Sequence, residues 1–459
     1  MSLPTGFAVR IRDDVRRLDD GRLLVGGSPL RAMRLSPEAV GLIDGARVVV
    51  RSPQAGVVAR RLLDGNLADP MTGPPAAAAE LTVVIPVRDR ADQLDQCLAA
   101  LAGLACIVVD DASLAPDAVA AVAAAHGATL IALETNVGPA GARNAGLRQV
   151  TTPYVAFVDS DVTVSARTLQ ALAGHFADPA VALVAPQVQG ISRSARPPWF
   201  ERYDAAASSL ALGRRPCSVR PGAAVGWLPA ACLVGRVAAL DDGFAPDLRV
   251  GEDVDLVWRL VADGRVVRYD PAYEARHDAR TTVWGWLARK VVYGSGGAEL
   301  GARHGSAIAP AVLSPQMAAA AAAVLLRSRW SGPVATLAVA LGARSVRTAL
   351  PPVTGRTALA ARLSITGLGW AVRQESALLL RHWWPATAVL SLVSRPARRA
   401  VATALVVDLA VALAVERPGI DPVTGWVGRR LDDLAYGAGL WLGALRARRL
   451  RCLAVRLAK

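Results

Sequence analysis

The chain has 459 residues, a net charge of +14 and five cysteines, and 53% of it is hydrophobic. That length exceeds one hydrophobic core, so two or three domains are expected. The cysteines (Cys97, Cys106, Cys217, Cys232, Cys452) have no paired spacing, which argues against a disulfide framework and a zinc site. Charge is uneven: residues 1–279 hold 28 basic and 31 acidic residues, residues 280–459 hold 24 and 7. The positive charge thus rides on the apolar tail. That pattern suggests an anionic membrane surface before nucleic acid, and no nucleic-acid partner is expected. Met1–Arg10 lacks the apolar core of a signal peptide, so the expected place is the cytoplasmic side, associated with the inner membrane.

Residues 1–75 read as a small separate domain. Phe7–Ile11 and Arg22–Val25 are expected to pair as strands around Asp19-Asp20-Gly21. Ser36-Pro37-Glu38 and Ser52-Pro53-Gln54 each read as a serine N-cap with proline at the first helical position. The second of these helices should run through Val57–Leu63 and end near Gly65. Pro70–Ala79 reads as a linker.

Residues 76–305 read as an α/β domain. Strands are expected at Leu81–Ile85, Ala105–Val109, Thr129–Leu133 and Tyr154–Val158. Helices between them fall at Ala91–Leu101, Pro116–His126 and Pro139–Val150, an order that implies a parallel sheet covered on both faces. Polar clusters follow the strands, on the edge where ligands of open α/β sheets bind. They are Pro86-Val87-Arg88-Asp89-Arg90, Asp110-Asp111-Ala112-Ser113 and Asn136 to Asn144. Asp111 can accept the imide N–H of a uracil, and Arg143 can offset phosphate charge. Asp159 and Asp161, two residues apart after an apolar strand, can share Mg²⁺ or Mn²⁺ with substrate phosphates. Gly-x-Gly-x-x-Gly does not follow the first strand, so a dinucleotide site is disfavoured.

The set Val83-Val84-Ile85-Pro86, Val108 to Ser113, Asn136 to Gly146 and Phe157-Val158-Asp159-Ser160-Asp161 resembles the family 2 glycosyltransferases of GT-A fold. The resemblance implies a nucleotide-sugar donor, a divalent cation and inversion at the anomeric carbon. It puts Pro86, Asp111 and Arg143 on nucleotide-binding positions, with Arg88 and Asp110 beside them. Asp159 and Asp161 fall on the ribose and metal–diphosphate positions. Val225–Val234, which contains Trp227, resembles the strand before the acceptor helix. Gly251-Glu252-Asp253 resembles the start of that helix, where the catalytic base is placed on Asp253 with Glu252 as the other carboxylate. His277, after the strand-like Arg265–Tyr269, can complete the metal site. Trp284 and Trp286 can stack on an acceptor sugar or simply pack. The Gln-x-x-Arg-Trp pattern of processive synthases is missing, since Leu326 stands where glutamine would precede Arg329-Trp330.

Residues 306–459 read as a basic, helical, membrane-associated region, or as a soluble bundle. Gly305–Leu326 and Ala400–Val415 are its most apolar stretches, set against the roughly 20 residues of a span. With Arg34-Leu35-Ser36-Pro37-Glu38 followed later by Leu62–Leu67, the front domain resembles the winged-helix peptide-recognition domains of the pyrroloquinoline-quinone D-protein type. Together the three parts resemble the glycosyltransferases of mycofactocin biosynthesis. That resemblance implies glucose transfer from UDP-glucose to a peptide-derived redox-cofactor precursor, building a short β-1,4-glucan. The alternatives are a cell-envelope glycosyltransferase with another donor, a peptide-binding scaffold with an inert core, and a nucleotidyltransferase.

Overall fold

The computed structural model describes residues 2–414 and 420–457. It divides into two compact units, Met1–Ser194 with Ser208–Ala279, and Ala195–Ala207 with Arg280–Lys459. In the first unit the chain begins with strands β1 (Ala8–Ile11), β2 (Arg16–Leu18), β3 (Leu23–Gly26), β4 (Arg31–Arg34), β5 (Arg47–Val49) and β6 (Ala68–Met71). They form two three-stranded antiparallel sheets, ordered β5-β1-β6 and β2-β3-β4. The expected pairing of Phe7–Ile11 with Arg22–Val25 does not form. The turn at Asp19–Gly21 instead joins β3 to β2, and Arg16-Arg17-Leu18 carries too little apolar pattern to read as a strand.

Helices α1 (Pro37–Gly41) and α2 (Pro53–Asp64) start where the serine–proline pairs place them. Ser36 Oγ accepts from Ala39 N and Ser52 Oγ from Ala55 N, each at 3.2 Å. Each cap satisfies an N–H that the first helical turn leaves without a partner. Helix α2 buries Ala55, Ala59, Leu62 and Leu63, the spacing of one helical face, against Val9, Ile11 and Leu24.

The second part of this unit is the expected α/β alternation. It runs β7 (Leu81–Val87), α3 (Ala91–Ala100), β8 (Ala105–Asp110), α4 (Pro116–Ala125), β9 (Thr129–Ala132), α5 (Gly138–Leu147) and β10 (Tyr154–Val158). There follow β11 (Val162–Thr163), α6 (Ala166–Ala173), β12 (Val181–Ile191), β13 (Cys217–Ser218), β14 (Cys232–Arg236), α8 (Glu252–Ala262) and β15 (Val266–Asp278). Among the described residues these strands make a nine-stranded mixed sheet, ordered β11-β15-β12-β14-β10-β7-β8-β9 with β13 on β15. The chain steps outward from β7 to β8 and β9, then returns to β10 on the other side of β7. That reversal opens a crevice at the carboxyl ends of β7 and β10, where open α/β sheets take their ligands. Val225–Val234 is strand only from Cys232 onward, and β15 runs on past Tyr269 so that His277 lies on it.

The front domain is fixed to this sheet domain. Arg60 grips Asp178, which is 2% exposed, through two hydrogen bonds of 2.6 and 2.9 Å. Asn66 exchanges bonds with the Ser218 backbone: its Nδ2 donates to Ser218 O (3.2 Å) and its Oδ1 accepts from Ser218 N (2.6 Å). The Pro70–Ala79 stretch is laid along α6 rather than hanging free. Gly73 N donates to Gly174 O (2.9 Å), Ala76 N to Gln170 O (3.0 Å), and Gln170 Nε2 returns to Ala76 O (3.1 Å).

The second unit is helical: α7 (Trp199–Ala206), α9 (Val283–Ser295), α10 (Gly297–His304), α11 (Pro315–Leu326), α12 (Ser331–Ala349), α13 (Arg356–Ala377), α14 (Trp384–Val393), α15 (Arg395–Ala414) and α16 (Pro422–Ala447). Helix α16 lies close against α9, since a Cβ on Gly439 would stand 2.0 Å from Val291 O. A buried ion network crosses this bundle. Asp432 pairs with Lys290 (2.8 Å), Asp433 with Arg381 (2.6 Å), and Asp408 with Arg429 (3.2 Å) and Arg430 (3.1 Å). Among the described residues no helix is long and apolar enough to cross a membrane. Gly305–Leu326 is cut into a 3-10 turn, a two-residue strand and α11. Ala400–Val415 contributes most of α15, interrupted by Asp408; Val415 lies outside the described residues.

Replacing Arg60 with alanine leaves the buried Asp178 charge without its guanidinium. The expected cost is about 2–4 kcal/mol, read as a lower urea midpoint, because an unpaired buried ion costs more than a lost surface pair. A midpoint equal to that of the unsubstituted protein would mean that Asp178 finds another partner.

Candidate active site

Strand β10 delivers its two aspartates to the crevice, and each meets an arginine. Asp159 Oδ1 accepts from Arg143 Nη2 at 2.6 Å. Asp161, 5% exposed, is paired with Arg90, and His277 Nε2 stands 3.6 Å from its Oδ2. Arg143 projects from α5 and is itself 3% exposed. Its second arm, Nη1, donates to Glu252 Oε1 at 2.9 Å, and its guanidinium lies 5.3 Å from the centre of the Phe244 ring. One buried cation therefore ties the end of β10 to the start of α8. The two carboxylates overcome the burial that opposes its charge and hold its pKa above the ordinary arginine value.

Helix α8 opens on Gly251, whose φ of +83° is a conformation in which other residues are strained. This turn presents Glu252 and Asp253 in the first helical turn. Glu252 is 8% exposed and engaged by Arg143, whereas Asp253 is half-buried and keeps a way to solvent. Asp253 accepts from Ala230 N at 3.3 Å and from Val254 N at 2.8 Å. Burial, and then the Glu252 carboxylate beside it, push its pKa up to about 7. The backbone donors and Arg143 pull the other way without cancelling that rise.

The loops after β7 and β8 are tied together. Asp89 N donates to Ser113 Oγ (2.9 Å), and Leu114 N donates to Asp89 Oδ1 (2.5 Å). Asp110 closes its own turn, accepting from Ser113 N at 3.0 Å and Ser113 Oγ at 2.5 Å. Asp111 holds the loop before α5: Val137 N donates to its Oδ1 (2.7 Å), and Asn136 Nδ2 (2.7 Å) and Gly138 N (2.9 Å) donate to its Oδ2. Pro86 lies at the end of β7, in register with Val109 of β8. Arg88 is half out in solvent beside Asp89 (3.7 Å), and Arg90 is the arginine of that loop that reaches an acid of the crevice.

Trp227 is half-buried, three residues before the Ala230 N–H that binds Asp253. In the second unit Trp284 is 78% exposed. Trp286 is 1% exposed, with its ring 6.1 Å from Trp199 and 5.3 Å from Tyr203, so packing takes up its faces and leaves none for a sugar.

Several participants carried no sequence signal of their own. Arg90 was one of two arginines in a polar loop. Asn144 holds the 241–250 segment to α5, accepting from Phe244 N (2.9 Å) and donating to Phe244 O (2.7 Å). Arg249 donates to Asn136 Oδ1 at 3.0 Å. Among the described residues no three His, Cys, Asp or Glu side chains converge to hold a metal alone. A cation at Asp159, Asp161 and His277 would have to draw its remaining ligands from phosphates. The buried Asp161 carboxylate, balanced here by Arg90, is the observation that fits such a cation.

A mixed sheet of this topology, with an Asp-x-Asp at the end of β10 and an acidic pair opening α8, defines a transferase of GT-A fold. Comparison with known proteins gives the family. Residues 82–221 match the model of glycosyl transferase family 2, and residues 154–414 that of glycosyl transferase family group 2. The chain is 41% identical to the pre-mycofactocin glycosyltransferase of Mycobacterium tuberculosis, over 98% of each chain. It is 32% identical to an uncharacterized glycosyltransferase of Mycobacterium bovis, over 47% of this chain and 95% of that one. A solved mannosyltransferase of Pyrobaculum calidifontis, in complex with GDP-Man and Mn²⁺, aligns over 80% of this chain and 89% of that one, with 18% identity and a TM-score of 0.42. The chain belongs to the family 2 glycosyltransferases.

Replacing Arg143 with methionine removes the cation between Asp159 and Glu252 and leaves two carboxylates facing one site. The expected loss is about 3–5 kcal/mol of unfolding free energy at neutral pH, partly recovered on acidification as the carboxylates protonate. Denaturant titrations at two pH values measure it, and a pH-independent loss would assign Arg143 a packing role only.

Proposed function

We propose that the protein is an inverting glycosyltransferase that moves glucose from UDP-glucose onto the peptide-derived precursor of mycofactocin, extending a short β-1,4-linked chain. The observation that carries the reaction type is Asp253, a carboxylate at the head of α8 whose pKa is pushed up to about 7. A general base is most effective near the working pH. The donor and acceptor are supported by the 41% identity, over nearly all of both chains, to the pre-mycofactocin glycosyltransferase.

In this reading Asp253 takes the proton of the acceptor hydroxyl. The oxygen attacks the anomeric carbon from the face opposite the diphosphate, the carbon–phosphate-oxygen bond breaks, and UDP leaves with the electron pair. Glu252, held by Arg143, raises the proton affinity of Asp253 without competing for the acceptor. Arg143 orients Asp159 toward the donor, and the loop set by Asp111 and Asn136 walls the nucleotide. A divalent cation, Mg²⁺ or Mn²⁺, held by Asp159 and Asp161 with His277 beside them, would neutralise charge on the departing diphosphate. Pro86 and Arg88 belong to the nucleotide edge, and Trp227 to the acceptor side.

UDP release from UDP-glucose with Mn²⁺ and the cofactor precursor tests this. Asp253→Asn should lose transfer by about a thousandfold and still bind UDP in calorimetry. Full activity of that variant would place the base elsewhere. Because the base works deprotonated, kcat/KM should rise with pH through about 7 and then level off. Glu252→Gln removes the neighbouring negative charge and frees Arg143, both of which lower the Asp253 pKa, so the acid limb should move to lower pH. A limb that stays in place would break the coupling between the two carboxylates.

A further inference from the structure

Helix α14 departs from the packing habits of the rest of the bundle. It reads Trp-Pro-Ala-Thr-Ala-Val-Leu-Ser-Leu-Val and has no buried residue. Val389 is 67% exposed, Leu392 79% and Val393 84%. Residues 389, 392 and 393 share one helical face. Helix α15, packed on α14, follows after a single residue and turns a second apolar stripe outward: Ala402, Val406, Ala410 and Leu413. Water gains nothing from either stripe, and a monomeric protein rarely keeps such a patch without using it.

The charge beside the patch identifies its occupant. Arg395, Arg398 and Arg399 are all exposed at the turn between the helices. Arg398 Nη1 donates to Ser391 O (3.0 Å), which fixes a guanidinium next to the most exposed apolar side chains. Residues 315–414 contain 11 arginines and two acids. Nine of those arginines are exposed, whereas Glu375 is half-buried and Asp408 is buried. The pattern recurs on α12, where exposed Leu337 and Leu341 lead into exposed Arg344 and Arg347.

We propose that the α14–α15 hairpin binds the surface of an anionic lipid bilayer, with its apolar stripes among the upper acyl chains and its arginines on lipid phosphates. An interfacial helix needs an apolar face and a basic rim, not the long apolar run of a span, and among the described residues no helix is both long and apolar enough to cross a membrane. A second copy of the chain fits poorly. A two-fold contact sets the patch against itself, and arginine would then face arginine with no exposed acid among the described residues 315–414 to relieve it. Nucleic acid would use the arginines but leave Leu392 and Val393 in water.

The test is co-sedimentation of the full chain with vesicles of equal parts phosphatidylglycerol and phosphatidylcholine, against phosphatidylcholine alone. Binding should be at least about tenfold stronger to the anionic vesicles and weaken with added salt. Leu392→Asp with Val393→Asp should abolish it. A triple Arg395→Gln, Arg398→Gln, Arg399→Gln variant should lower it about tenfold or more and remove most of its salt dependence. Both variants should keep turnover of the nucleotide sugar in vesicle-free buffer. Equal binding to neutral vesicles, no binding at all, or binding that both variants retain would overturn the proposal. So would a dimer in light scattering that the aspartate pair converts to monomer, since the occupant would then be a second copy.

Discussion

A guanidinium that is almost wholly out of water must be paid for, and Arg143 is paid for twice, by Asp159 and by Glu252. The two acids come from segments far apart in the sequence, the strand end at β10 and the helix start at α8. Neither would tolerate burial beside the other without the cation between them. Arg143 thus fixes the distance between the end of β10 and the helix that carries Asp253. Phe244 closes the site from behind, edge-on to Phe157 at 5.0 Å and within reach of the guanidinium.

What the sequence made legible follows the range of each signal. Strand β10 and the alternation before it were readable because each element is short, strongly patterned and bounded by proline, glycine or aspartate. The serine–proline caps of α1 and α2 were readable because capping is local: the residues that define the start also make the bond. The front domain was misjudged where the signal was weak. Strands β2 and β4 are largely exposed and arginine-rich, so no alternation announced them.

The site shows the same division. Asp159, Asp161, Glu252 and Asp253 stood in recognisable phrases, and the structure gathers them around Arg143 and Arg90. The choice between Arg88 and Arg90 was not legible, because both sit in one polar loop on either side of Asp89, whose φ is 55°, and it is Arg90 that pairs with Asp161. Trp286 was misleading for a related reason. An aromatic near a site reads the same whether its face is open or covered, and Trp199 and Tyr203, some eighty residues earlier, cover it. In the tail, Asp408 interrupts the apolar Ala400–Val415 stretch, and its partners Arg429 and Arg430 lie on another helix, α16, so nothing near it in the sequence accounts for the charge.

The exchange between Asn66 and Ser218 bears on how such a chain could arise and be altered. Asn66 offers the backbone of β13 both a donor and an acceptor, the service a neighbouring strand would give, so the front domain completes the edge of the transferase sheet. A replacement front domain would have to bring its own substitute for Asn66 and for Arg60, or else expose that edge. The two parts are therefore expected to have been inherited together and to resist exchange with other pairs. A chimera should be joined beyond Ser218, not in the proline-rich stretch that looks like the natural seam.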